Sequence, residues 1–163
     1  MFGVPYDEIA PMLDRTPAAT RQLASRARRS VRGAPTTPDP DLGRQREVVA
    51  AFLAAARAGD FDALIDVLDP DVVFRADTGS RPQSAPALLT GAAAVAGQSA
   101  TYGPRFATLC RPALVNGGAG IIARAPAGLI AVVGVTVVAG RIAEIDLILD
   151  PDKLARLSIG PGI

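Results

Sequence analysis

Acid–base chemistry in this sequence has few residue types to draw on. Among 163 residues there is no histidine, one cysteine (Cys110) and one lysine (Lys153). Without imidazole, a Ser-His-Asp arrangement and the common histidine-bearing metal sites are excluded. Proton transfer would fall to a carboxylate, a tyrosine or the lysine. Arg75 and Asp77 alternate in one strand-like run, and Glu144 and Asp146 alternate in another. Asp77, or Asp146 as a second candidate, could take a proton from beside a ketone carbonyl if a pocket raised its pKa, with Arg75 or Tyr102 stabilising the enolate. The same residues also fit a strand-end turn at Asp77 and a solvated edge at Glu144 and Asp146. No P-loop, dinucleotide-binding glycine pattern or paired-cysteine motif is present, and no metal or cofactor is expected. Cys110, in the run Phe106–Arg111, reads as a buried structural thiol and cannot form an internal disulfide.

Arginine offers a second kind of chemistry, the binding of anions. Residues 1–33 hold six arginines against three carboxylates, a net +3, whereas residues 34–163 hold eleven basic and thirteen acidic residues, a net −2. A basic segment on a mildly acidic domain points to an anionic partner for the segment, although a solvated helix face would look the same. Thr16-Pro17 is a helix-start signal, and Ala19, Leu23, Ala27 and Val31 form a packing stripe at four-residue spacing. A short helix around residues 5–13, a tight turn and this second helix fit a helix-turn-helix, or an ordinary α-hairpin. In the first geometry Thr20, Arg21, Gln22, Ser25 and Arg26 face a DNA groove, and Arg28, Arg29 and Arg32 neutralise phosphate. Two such helices bury little surface, so they are expected to dock on the larger domain, to pair with a second chain, or to be loosely folded.

The elements that must position these groups form an α+β domain. Residues 34–40 are a proline-rich linker, 41–151 the domain and 152–163 a C-terminal tail. Leu42, Val49, Phe52 and Leu53 predict a helix over 41–58, stopped by Gly59; Asp60 caps a second over 61–68, broken at Asp69-Pro70. Asp71–Asp77 begins the sheet, residues 83–91 read as irregular, and 91–97 open a short third helix. Four runs follow, Phe106–Val115, Ala119–Ala125, Leu129–Val138 and Arg141–Leu149, separated by glycine-bearing turns, which favours an antiparallel meander. Leu129–Val138 is apolar on both faces. One face should meet the helices, and a second copy of the chain is the simplest cover for the other. An apolar ligand in a cavity lined by Phe74, Phe106 and Val135 is a further expectation. No apolar run is long enough to cross a bilayer and no signal-peptide order is present, so a cytoplasmic protein is expected.

The order helix–helix–strand–short helix–strands, with Gly59-Asp-Phe-Asp-Ala-Leu and Leu68-Asp-Pro-Asp-Val-Val, resembles the SnoaL-like branch of the NTF2-like superfamily. That resemblance implies a cone of helices on a curved, mixed, mostly antiparallel sheet. The superfamily includes polyketide cyclases and ketone isomerases as well as non-catalytic domains. Nearly the whole chain resembles the second half of a subgroup of extracytoplasmic-function sigma factors. Glu8-Ile9-Ala10, Leu13, Thr20-Arg21-Gln22 and Arg26-Ala27-Arg28 match region 4, which implies binding of a promoter −35 element and of RNA polymerase in a longer protein. Two motifs of the fused domain in that subgroup are also matched: a glycine-rich loop at Asp77-Thr-Gly79-Ser-Arg81, with two glycines replaced, and a terminal motif at Asp150-Pro151-Asp-Lys153-Leu154, with Asp at its first position. The resemblance implies that these govern contacts between the domain and the sigma core. Region 2 and the first part of region 4 have no counterpart here, so these 163 residues are not expected to act as a complete sigma factor.

Overall fold

The computed structural model describes residues 38–79 and 86–157, together with Thr16. The fold below belongs to the second of two units, residues 37–163. The expected helix-turn-helix over 1–33 lies outside the described residues.

Helix α1, Leu42–Ala58, starts where the Asp41 carboxylate accepts from the Gly43 and Arg44 amides at 2.8 and 3.2 Å. It ends at Gly59, whose φ of 67° is the left-handed conformation that a C-terminal cap requires. One side of the helix buries Gln45, Val49, Phe52, Leu53 and Ala56. Asp60 then caps α2, Phe61–Val67, by accepting from the Ala63 amide at 3.0 Å. The chain passes directly into β1, Leu68–Asp77, which carries Asp69-Pro70 within it. The break expected at Asp69-Pro70 is thus a helix-to-strand junction. Proline is tolerated there because this stretch skips regular pairing: the register with the neighbouring strand jumps between Leu68 and Val73.

A short edge strand, β2 (Leu88–Thr90), pairs antiparallel with β1 in a stretch expected to be irregular. Helix α3 runs Ala92–Phe106, well past the expected short helix, and it takes in Phe106, expected at the start of the next strand. Packing overrides the weak propensity of its glycines and alanines: Val95 and Ala96 are buried, and Gly103 lies so close to α1 that a Cβ there would overlap the Ala56 carbonyl. The strands β3 (Cys110–Val115), β4 (Gly118–Ala125), β5 (Gly128–Val138) and β6 (Arg141–Ile148) form the meander. Its end hairpins turn through residues with positive φ, Asn116-Gly117 and Ala139-Gly140. The sheet order is β2-β1-β6-β5-β4-β3. All neighbours are antiparallel except β1 and β6, which run parallel.

The two faces of the sheet differ. The inner face, with Val72, Phe74, Ile121, Val137, Ile142 and Ile145, packs on Val49, Phe52, Leu64 and Val95 of the helices as one core. A second, smaller apolar cluster joins Ile122 and Val132 to Leu154 of the last helix, α4 (Pro151–Leu154). The chain's own C-terminal turn therefore covers part of the face for which a second copy had been expected. The proposed ligand cavity is not formed by its three named residues: Phe74 and Val135 belong to the core, whereas Phe106 is 52% exposed on α3.

Candidate functional site

Arg75 and Asp77 follow the inward-facing Phe74 and Ala76 in alternation, so both lie on the outer face of β1. The parallel register places Arg75 beside Asp146 and Asp77 beside Ile148. The Arg75 guanidinium donates to Glu144 at 3.3 Å and to Asp146 at 3.2 Å. Although burial works against it, these two carboxylates hold the arginine more firmly protonated than usual. Tyr102 is on α3, in the helix layer, and 41% exposed. The set weighed for ketone chemistry is therefore divided between the outer face of the sheet and the helices. Asp77 also has the wrong electrostatics for a base in a dry pocket. Its carboxyl is held below the usual range by hydrogen bonds, first from Lys153 and then from the Gly79 amide.

The structure does bring the described part of the loop motif, Asp77–Gly79, to the terminal motif. Parallel pairing of β1 with β6 brings the ends of both strands together, and Asp77 and Lys153, 76 positions apart in sequence, meet there. The Asp77 carbonyl accepts from the Leu149 amide at 2.7 Å and from the Asp150 amide at 3.2 Å. Its carboxylate accepts from the Gly79 amide at 3.1 Å and pairs with Lys153. Gly79 has φ +61°, and a Cβ there would stand 2.7 Å from the Asp150 carboxylate. That carboxylate caps α4 by accepting from the Asp152 amide at 2.9 Å, with Pro151 in the first turn. Leu154 is buried against Ile122 and Val132. Asp77, Gly79, Asp150, Pro151, Lys153 and Leu154 thus form one clasp between a loop and the C-terminal turn. Lys153 is held more basic than usual by the same hydrogen bond to Asp77. Beside the clasp, Leu129, Ile130, Leu149, Pro151, Leu154 and Ala155 line a cavity of about 290 Å³.

Arg81, and Thr20 through Arg32 of the arginine-rich segment, lie outside the described residues. Among the described residues, no three potential metal ligands converge and no helix is long and apolar enough to cross a membrane. Cys110 is half-buried, and burial pushes its thiol up, away from the reactive thiolate.

One latch was missed in the sequence. Buried Gln45 accepts from the Ala119 amide at 2.9 Å and donates to the Asp39 carbonyl, while Asp39 binds the β5–β6 turn through Gly140 at 2.9 Å and Val137 at 2.8 Å. The flanking Arg44 and Arg46 make Gln45 read as solvated, yet it stands four residues before Val49 on the buried stripe.

No protein-family model matches the chain. It is 37% identical to the ECF RNA polymerase sigma factor SigJ of Mycobacterium tuberculosis, over 93% of this chain and 53% of that protein. It is 29% identical to the probable ECF RNA polymerase sigma factor SigI of the same species, over 99% of this chain and 55% of the relative. The chain therefore spans about half the length of the curated relatives it matches. The crystal structure of M. tuberculosis SigJ matches with a TM-score of 0.58 at 34% identity, covering 94% of this chain and 55% of that one. An NTF2-like protein from Burkholderia xenovorans, 19% identical with a TM-score of 0.51, covers 72% of this chain and 98% of its own, and it speaks for the fold alone. Identity of this order over nearly the whole chain makes the chain a homologue of extracytoplasmic-function sigma factors of the SigJ kind, and its second unit has an NTF2-like fold.

Proposed function

We propose that the chain works as the C-terminal half of a cytoplasmic sigma factor, in which the arginine-rich segment binds promoter DNA and the NTF2-like domain is a non-catalytic regulator of the sigma core. The observation that carries the regulatory part is the clasp. The loop at Asp77–Gly79 and the turn at Asp150–Leu154 are the two places where the sequence matches the motifs of that subgroup, and they meet in space. Thr20, Arg21, Gln22, Ser25 and Arg26 are assigned to base edges, and Arg28, Arg29 and Arg32 to phosphate. Arg81 is assigned to the regulatory loop.

The test is a chimera in which these 163 residues replace the matching half of SigJ. Run-off transcription with core RNA polymerase should depend on the promoter, and alanine at Arg21 and Arg26 should abolish it. Asp77→Asn and Lys153→Gln should change the amount of transcript while promoter binding persists. A chimera that binds polymerase yet is indifferent to the arginine changes would remove the DNA-binding assignment.

Catalysis as a ketone isomerase is disfavoured by the separation of Tyr102 from Asp77 and by the lowered pKa of Asp77. Pairing of two copies through the sheet would have to use the outer face, where Ala113 and Val115 are only partly buried against the Ile122–Val132 cluster. An apolar ligand would have its best support in the cavity beside α4.

A further inference from the structure

Helix α4 has four residues, far too few to be stable by itself. Among them only Leu154 is buried, at 8% exposure, and it stands on Ile122 and Val132. The Lys153–Asp77 pair that ties the helix down is exposed on both sides. Two amides, Leu149 and Asp150, bond to the Asp77 carbonyl, and a half-open pocket lined by Leu149, Pro151, Leu154 and Ala155 adjoins the turn. The strands below are in a different situation, because β5 is hydrogen-bonded on both sides within the sheet. A segment of one short turn with one buried anchor and one solvated ion pair opens at a smaller cost than the core it covers.

We infer that α4 is a strap that opens and closes independently of the core, that Asp77–Lys153 is its catch, and that the closed strap masks the apolar cluster of Ile122 and Val132 on the outer face of the sheet. Opening frees Leu149 and Asp150 from Asp77, lifts Leu154 and leaves Ile122, Val132 and Ile148 facing water. The regulatory meaning of the strap rests on the reading above. Its opening is a property of this chain alone, so it is measured without polymerase or DNA and fails or holds separately.

The experiment is amide hydrogen exchange on the 163-residue chain, read at Leu149, Asp150, Leu154 and Ala155 and compared with the central amides of β5. Strap amides should exchange well ahead of the β5 amides. Lys153→Gln and Asp77→Asn should each speed them by about two- to fivefold, as expected for loss of an exposed pair. Molar salt should do the same to the parent chain and nothing further to the variants. The exchanged pair Asp77→Lys with Lys153→Asp should return the rate toward the parent value. Leu154→Ser should free the strap with the ion-pairing residues intact and raise the fluorescence of anilinonaphthalene sulfonate, while β5 stays protected. Strap amides that exchange at the β5 rate in the parent and in the Lys153→Gln chain would overturn the inference. A charge swap that stays as fast as the single variants would remove the catch.

Discussion

Asp77 is the residue on which the site turns, and its ionisation gives the site a pH window. Its carboxyl titrates below the ordinary carboxylate value, chiefly because of Lys153, so its contribution is present above that ordinary value and is lost as pH falls through the lowered one. Lys153 titrates above the ordinary lysine value, so its contribution is present below that value and is lost as pH rises through the raised one. Protection of the Leu149 and Asp150 amides, taken relative to their base-catalysed intrinsic exchange, should therefore be high and flat across neutral pH and lower at both extremes. In Lys153→Gln the alkaline limb should vanish. Gly79→Ala is a second residue-scale prediction: left-handed backbone and a Cβ driven against Asp150 should cost about 1–2 kcal/mol in denaturant unfolding. Asp77, Gly79 and Lys153 could be picked out in the sequence, as a strand-end aspartate, a turn glycine and the lone lysine, whereas Asp150, Pro151 and Leu154 are marked only by the resemblance. Their meeting could not, because it depends on β1 running parallel to β6, and a meander pattern gives no sign of which strand an earlier one joins.

At the scale of elements, capped helices and glycine-marked turns were readable because each is set by local chemistry. Gly59 and Asp60 bound the end of α1 and the start of α2 as expected, with Asp41 as the cap just before α1 rather than its first residue, and Asn116-Gly117 turns β3 into β4. The failures came where tertiary contact outweighs propensity. Helix α3 continues through Gly103 and Pro104 because its glycine admits the α1 backbone. Gly103→Ala should consequently force the two helices apart and cost on the order of 3 kcal/mol, more than alanine at an exposed helix glycine could gain. Ala139 gives a change of opposite sign. It holds φ 48° in the β5–β6 turn, so Ala139→Asn should raise stability by up to about 1 kcal/mol. Both are checked by thermal unfolding. The edges of the sheet are also explained at this scale. β2 has three residues and β3 carries Pro112 opposite Ile121, features that discourage pairing with another sheet.

For the whole molecule, the uneven charge was legible from the start: a net +3 in residues 1–33 against −2 in the remainder. So was the excess of apolar surface on the sheet, but the sequence left open what would cover it. Part of that cover is the chain's own tail, anchored by Leu154. The reading of this half as a regulated DNA-binding unit predicts that binding to a −35 duplex weakens steeply with salt, in proportion to the phosphates that the arginines neutralise. The clasp should alter transcription without altering that binding. The decisive measurement is run-off transcription by the SigJ chimera, parent against Lys153→Gln, with duplex affinity recorded in parallel. A change in transcript of severalfold at unchanged affinity is the predicted result. Identical transcript from both proteins, under conditions where amide exchange shows the strap released in the variant, would contradict it.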